Sequence, residues 1–295
     1  MINKLAIIGM GLIGGSLALA LKQAAVVNHV VGYARSDSVR QQALTLGLVD
    51  EAADTIADAV CDADLVFVAV PMGAMSAVFE AMAPHLSAHT VVTDGGSAKA
   101  QVVATARAVM PQLISNFVPG HPIAGTEKSG PSAAFAELYQ QHRVVLTPLD
   151  ETSLEAVNLV ENIWKTAGAE VFFMGVEQHD LLLAATSHLP HLLAFNLVGM
   201  LAERDDCDEV LRYAAGGFRD FSRIASSDAV MWRDICLGNQ QAILELMKQY
   251  RQGLDDIEQA IRDGNGDYLI DVFTRAKKAR DSRFADPDLI DNSEV

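Results

Sequence analysis

The chain has 295 residues, half of them hydrophobic, and a formal net charge of −16. That length suggests two domains of ordinary size, with ample apolar side chains for a sizeable core. The acidity argues against nucleic acid and anionic membrane as partners, and an anionic substrate would need locally placed Arg and His against the global field. Cys61, Cys207 and Cys236 form no CxxC pair, which fits reduced thiols and a cytoplasmic location. Met1-Ile2-Asn3-Lys4 leads straight into a strand with no signal peptide, and no apolar run is expected to reach membrane-spanning length.

Lys4 to Ile8 reads as a buried parallel strand. Gly9-Met10-Gly11-Leu12-Ile13-Gly14 follows, and Leu17 to Leu21 continue as a helix. This is G-x-G-x-x-G between strand and helix, the context dinucleotide binding requires. Gly9 makes the turn, Gly11 lets backbone approach a pyrophosphate, and Gly14 lets helix and strand pack closely. The helix N-terminus offers amide donors and a positive dipole end. His29 to Tyr33 is the second strand. An acid at its end would read a ribose 2′-OH, but the chain there is Ala34-Arg35-Ser36-Asp37. A guanidinium and a hydroxyl suit a 2′-phosphate, so NADP is the expected cofactor. NAD stays open if Asp37 reaches the ribose instead.

Asp64 to Pro71 and His89 to Asp94 are further strands around a helix over 74–86, and the alternation implies a parallel sheet with helices on both faces. Val70, at the end of the first of these, lies at the cofactor edge. In Asp94-Gly95-Gly96-Ser97-Ala98-Lys99, Ser97 can either bridge cofactor and substrate or cap a helix. Val118 to Gly130 is dense in Gly and Pro and holds one imidazole, His121, read as lying on a rigid loop at a strand end. Histidine suits proton transfer near neutral pH. Arg143 to Pro148 and Ala169 to Met174 are strands around a helix over 153–166, and Gly175 closes the first domain.

Beyond Glu177 the pattern is helical. A long apolar helix over 178–203 is interrupted by Pro190, beside His188 and His191. No metal-ligand spacing accompanies these histidines, so no metal site is expected. Gly216-Gly217 leads into a segment with Arg219 and Arg223 among apolar residues. In so acidic a chain this suggests carboxylate recognition, with salt bridges to Asp220, Asp228 or Asp234 as the alternative. Single helices are expected over 228–262 and 266–283, and a disordered tail over 285–295. The helical part has more apolar face than it can bury alone, which favours pairing with a second copy. The expected fold is α/β: a Rossmann-type, doubly wound, mainly parallel sheet domain over 1–175, then an all-α substrate and dimerisation domain over 176–284.

These motifs occur together, and in this order, in a known family. Gly9 to Gly14, the Asp94–Lys99 turn, His121-Pro122-Ile123-Ala124-Gly125-Thr126-Glu127-Lys128-Ser129-Gly130, Ser187-His188-Leu189-Pro190-His191, and Gly216 to Ala225 with Met231-Trp232-Arg233 resemble the prephenate, arogenate and cyclohexadienyl dehydrogenases of tyrosine biosynthesis. The resemblance implies oxidative decarboxylation of a cyclohexadienyl ring with hydride transfer to NAD(P). It implies that His121 accepts a hydrogen bond from the 4-hydroxyl and that Ser97 holds that hydroxyl near the nicotinamide. Arg223 would anchor a carboxylate, His191 and Gly216 would line the pocket, and Thr126 and Glu127 would shape its mouth. It also implies a homodimer through the helices. Another two-domain reductase, of the hydroxy-acid dehydrogenase or pyrroline-carboxylate reductase type, is the rival enzyme reading, and a non-catalytic dinucleotide sensor is a third.

Overall fold

The computed structural model describes residues 1–126 and 128–284; Glu127 and the expected tail over 285–295 lie outside the described residues. The chain packs as two compact units, Met1–Gln240 and Gln241–Val295.

The first unit is built on a six-stranded parallel sheet in the order β3-β2-β1-β4-β5-β6. Its strands are β1 (Ile2–Ile8), β2 (Val27–Tyr33), β3 (Glu51–Ala52), β4 (Leu65–Val68), β5 (Val91–Asp94) and β6 (Phe117–Val118). Helices α1 (Leu12–Gln23), α2 (Asp37–Thr45), α3 (Ile56–Val60), α4 (Met75–Met82) and α5 (Lys99–Val109) make the crossovers. Strands covered on both faces read as unbroken apolar runs, and β4 is Leu-Val-Phe-Val with all four residues buried. Alternate residues feed two cores. Leu5, Ile7 and Phe67 face one, with Leu17, Leu21 and Trp164; Ala6, Ile8 and Val66 face the other, with Phe79, Val102 and Ile235. Each fully buried large side chain contributes about 1.5–3 kcal/mol of transfer free energy. Strand order reverses between β1 and β4, so the carboxyl ends of these two strands flank the crevice where such sheets bind ligands.

The remaining strands form a separate sheet. At Pro119 the chain leaves β6 and begins β7 (Gly120–Ile123), which pairs antiparallel with β8 (Arg143–Leu146); β8 pairs parallel with β9 (Glu170–Phe173), across α6 (Leu154–Thr166). His121 therefore sits in a strand, opposite Val145, rather than on a loop. Pro122 is tolerated because β7 is an edge strand and needs no second ladder.

Strands end with β9. Helix α7 (Val176–Leu183) runs through a π-helical turn, Ala184–His188, into α8 (Leu189–Ala202). The expected break at Pro190 is resolved by this change of register: Pro190 lies in the first turn of α8, where its missing N–H matters least. Contrary to expectation, Val176–Ala202 is long and apolar enough, by length and composition alone, to cross a membrane. It nevertheless carries His179, Asp180 and His188 in buried, hydrogen-bonded positions.

Helices α9 (Cys207–Arg212), α10 (Gly216–Arg223) and α11 (Ala229–Gly238) follow. The single helix expected over 228–262 is broken at Asn239. That side chain turns inward, donating to the Asp180 carbonyl at 2.7 Å and meeting His188 Nδ1 at 3.1 Å. In the second unit, α12 (Gln240–Arg262) and α13 (Gly266–Phe284) carry exposed Leu244, Leu254, Ile261, Ile270 and Phe273.

Candidate active site

The glycine turn is shaped as its sequence requires. Gly9 has φ +105°, and a Cβ there would lie 2.3 Å from the Ala69 carbonyl oxygen and 3.1 Å from Val70 Cγ1, so β4 leaves no room for a side chain. A Cβ on Gly14 would meet the Gly9 carbonyl at 2.1 Å, whereas one on Gly11 would meet nothing within 4 Å. The open space therefore lies where a pyrophosphate would approach. Helix α1 begins there with neither a side-chain cap nor an acid in its first turn, which leaves its amides to an anion. These features fit a dinucleotide. Met10 and Leu12 are buried, with Met10 sulfur packed over Gly32, so the two can contribute only backbone; Ile13 is half-buried and its carbonyl accepts from Tyr139 Oη at 2.5 Å.

The β2–α2 connection is short. Ser36 is the N-terminal flanking residue of α2, and its Oγ lies 2.7 Å from Ser38 Oγ. Arg35 is exposed, and its side chain makes no hydrogen bond or ion pair among the described residues. Arg40, unremarkable in its local sequence, folds back under the loop. It donates to the Ala34 carbonyl at 2.8 Å and pairs with Asp37 at 3.3 Å. Asp37 is thus held in the first turn of α2.

His121 is buried at the start of β7. Its Nδ1 lies 2.9 Å from His179 Nε2, and His179 Nδ1 lies 2.7 Å from Asp180 Oδ1. Asp180 also accepts from the amides of Lys99 at 2.8 Å and Ala100 at 2.9 Å. A carboxylate from α7 therefore caps α5, and Ser97 is not the cap. Ser97 is half-buried, and its hydroxyl makes no hydrogen bond among the described residues. Lys99, the first residue of α5, is fully buried. It donates to Asp94 Oδ2 at 2.5 Å and to the Gly120 carbonyl at 2.6 Å, while Asp94 accepts from the amides of Gly96 and Gly120. This ion pair ties the end of β5 to the residue preceding His121.

Burial pushes the His121 pKa well below 6.5, and the neighbouring His179, Lys99 and His188 push the same way. His179 is lowered by burial against the opposing bond to Asp180, and His188 is lowered to about 4, again chiefly by burial. At neutral pH the imidazoles at this end of the site are uncharged. Burial also opposes the charged form of Asp180, but its bonds from His179, Lys99 and Ala100 outweigh that and hold it below the usual carboxylate range.

The residues expected at the substrate cluster differently. His191 is half-buried and pairs through Nδ1 with the Ser187 carbonyl at 2.9 Å. Trp232 stacks on it at 3.8 Å between centroids and meets His188 edge-on at 6.1 Å. Burial lowers the His191 pKa, and the Arg223 charge lowers it further, so Arg223 reaches this end of the site. Two of the salt-bridge partners considered for Arg223 are engaged elsewhere. Asp234 accepts from Gly73 and Arg233, and Asp228 caps α11 at Met231. Gly216 opens α10, with nothing within 4 Å of a built Cβ. Thr126 is exposed and accepts from the Lys128 amide at 3.2 Å; Glu127 lies outside the described residues. Among the described residues, no group of three or more His, Cys, Asp or Glu could hold a metal ion.

Sequence reasoning overlooked His179 and Asp180. The available signal was a titratable pair directly before the apolar run Leu181 to Ala185, where a charge must find a partner.

A dinucleotide turn and a buried, neutral imidazole in one chain are the marks of a nicotinamide-dependent oxidoreductase. The sequence matches the profile of the prephenate dehydrogenase nucleotide-binding domain over residues 17–173 and that of the prephenate dehydrogenase dimerization domain over 176–275. The chain therefore belongs to the prephenate dehydrogenase family. It is 42% identical over 289 residues to the cyclohexadienyl dehydrogenase of Zymomonas mobilis, covering 97% of this chain and 98% of that one. The prephenate dehydrogenase of Aquifex aeolicus, solved with hydroxyphenyl propionate and NAD+, superposes with TM-score 0.87 at 32% identity, covering 95% of this chain and 98% of that one. Synechocystis arogenate dehydrogenase gives TM-score 0.81 at 29% identity, covering 95% and 99%. The expected α/β sheet domain followed by helices is the architecture found, and the rival two-domain reductases are not favoured.

Proposed function

We propose that this enzyme oxidatively decarboxylates prephenate, arogenate or both, with NADP as the preferred cofactor, as a cytoplasmic homodimer. The observation that carries the reaction is His121: a buried imidazole, neutral at pH 7, held on β7 by its bond to His179. The bound nicotinamide supplies the hydride acceptor. His121 takes the proton of the 4-hydroxyl as the C4 hydride departs. Loss of the ring carboxylate as CO₂ then aromatises the ring, and the proton on His121 can return to the phenolic oxygen, leaving the imidazole neutral for the next cycle. Such chemistry needs a base and positioning rather than an external electrophile. Ser97, whose hydroxyl makes no hydrogen bond among the described residues, orients the 4-hydroxyl. Arg223 and His191 receive the carboxylate-bearing side chain, with Gly216 and Thr126 around the opening.

Gly9 to Gly14 and Val70 would hold the dinucleotide. Arg35 and Ser36 support the NADP reading: both are exposed at the end of β2, no acid stands at Ala34, and Asp37 is tied to Arg40. A charge-assisted contact to a 2′-phosphate is worth roughly 1.5–3 kcal/mol, or about ten- to a hundredfold in affinity. The exposed apolar side chains of α12 and α13 support pairing of two copies, and the three free thiols suit the cytoplasm.

Steady-state rates with prephenate and arogenate, each against NADP and NAD, test the reading. Turnover of neither substrate would overturn the activity. A clear preference for NAD would overturn the role given to Arg35. If that role holds, Ala34→Asp combined with Arg35→Ala swings the preference toward NAD.

A further inference from the structure

We infer that Asp180 and His179 are positioning residues that fix the tautomer of His121, so that only its Nε2 presents a lone pair to the substrate. This rests on the reading of His121 as the acceptor of the hydroxyl proton.

The argument follows donors and acceptors through the buried chain. Both Asp180 oxygens are committed as acceptors, Oδ1 to the Lys99 amide and Oδ2 to the Ala100 amide. An ionised carboxylate cannot donate. His179 Nδ1, 2.7 Å from Oδ1, must therefore carry the proton and donate it. A neutral imidazole has one donor and one acceptor nitrogen, so His179 Nε2 is bare. His121 Nδ1, 2.9 Å away, can meet a bare nitrogen only as a donor. The proton of neutral His121 then resides on Nδ1, and Nε2 is left as the acceptor. The order is set by two backbone amides of α5, which cannot change roles.

The same chain favours the imidazolium that forms when Nε2 takes the hydroxyl proton. His121 Nδ1–H keeps its acceptor, and the Asp180 charge lies one ring further on. The other titratable groups facing His121 are Lys99 from α5 and His188 from the π-helical turn, with Asp94 of β5 neutralising Lys99. Among these groups, Asp180 and His179 alone are hydrogen-bonded in series to His121.

Asp180→Asn tests the inference. Its amide nitrogen would take either the Oδ2 position, facing the Ala100 amide, or the Oδ1 position, facing the Lys99 amide and His179 Nδ1, and the latter reverses both rings. The expected result is a kcat lowered by about 10²–10⁴, with KM and cofactor binding nearly kept. Because Asp180 also caps α5, a second pair of variants separates positioning from folding. His179→Gln can still accept from His121 Nδ1–H and donate to Asp180, and is expected to retain kcat within about tenfold of the parent. His179→Leu cannot accept and should fall as far as Asp180→Asn. Side-chain ¹H–¹⁵N spectra of the histidines, which distinguish bare from protonated ring nitrogens, give a readout independent of turnover. The expected tautomer has His121 protonated at Nδ1, changed in Asp180→Asn and kept in His179→Gln. A parent enzyme with His121 protonated at Nε2, or equal activity in His179→Gln and His179→Leu, would overturn the inference. The expected spectra in an enzyme that turns over neither substrate would leave the relay standing and remove only the function proposed for it.

Discussion

The two ends of the candidate site are built on opposite principles. Around His121 the polar groups are buried and bonded to one another: Asp94 to Lys99, Lys99 to the Gly120 carbonyl, and Asp180 to His179 and two amides. Around Arg223 the chain is open, with Gly216, Gly217 and Arg223 exposed and His191 half-buried against Trp232. Proton transfer requires a fixed lone pair and a tuned pKa, which only a desolvated, internally satisfied network supplies. Gripping a substrate side chain, the role proposed for that end, requires access, which its exposure provides. A lesion at the buried end should therefore lower kcat or stability, and one at the open end should raise KM.

The largest effect is expected from His121→Asn. It should lower kcat by about 10²–10⁴, the usual contribution of general acid–base catalysis, with KM nearly unchanged. Turnover at the parental rate would show that the proton goes elsewhere. Lys99→Met comes next, because it leaves the Asp94 carboxylate buried and unpaired. Denaturant titration should report a loss of about 3–5 kcal/mol. A loss under ~1 kcal/mol would mean that the pair is not what holds β5 to β7.

Arg223→Ala probes the open end. A lost charge-assisted contact should raise KM about ten- to a hundredfold with kcat close to parental. If kcat fell instead while KM held, the contrast between the two ends would fail. Ser97→Ala should be milder, about tenfold in kcat/KM with an unchanged melting temperature, since the hydroxyl makes no hydrogen bond among the described residues.

The smallest effect distinguishes the ends by pH. With His121 as the proposed proton acceptor its neutral form is the competent one, and its pKa is pushed well below 6.5, so the acid limb of kcat/KM should lie below pH 6.5 rather than at it. Stability should move with it. His188 titrates near 4 in the folded chain and at 6.5 when unfolded, so the unfolded state binds more protons between those values. The stabilisation from burying it neutral is complete above pH 6.5 and is lost as pH falls toward 4. A melting temperature that rose over that window would contradict the burial.

Much of the dinucleotide end was legible because its signals are local. The turn from Gly9 to Gly14 follows from chain geometry over six residues, and the apolar runs of β1 and β4 follow from burial on both faces. The absence of an acid after β2 and the candidacy of His121 were readable in the same way. The sequence alone determined that a parallel-sheet dinucleotide-binding domain precedes a helical run, and it nominated side chains for the chemistry.

Tertiary structure decided what those side chains do to one another. His121 and His179 are 58 residues apart, and Asp180 and Lys99 are 81 apart. Nothing in the spacing of either pair reveals the contact. The split into two sheets at Pro119 arises from the pairing of β7 with β8, a choice made by cross-strand packing rather than by any local preference. The fate of Lys99 shows the same limit. As a sequence feature it is a lysine in the first turn of a helix, but the fold buries it against a carboxylate and a carbonyl that only the complete chain brings within reach. Local propensity is encoded over a few residues, whereas the pKa and tautomer of a buried group depend on neighbours that arrive from anywhere in the chain.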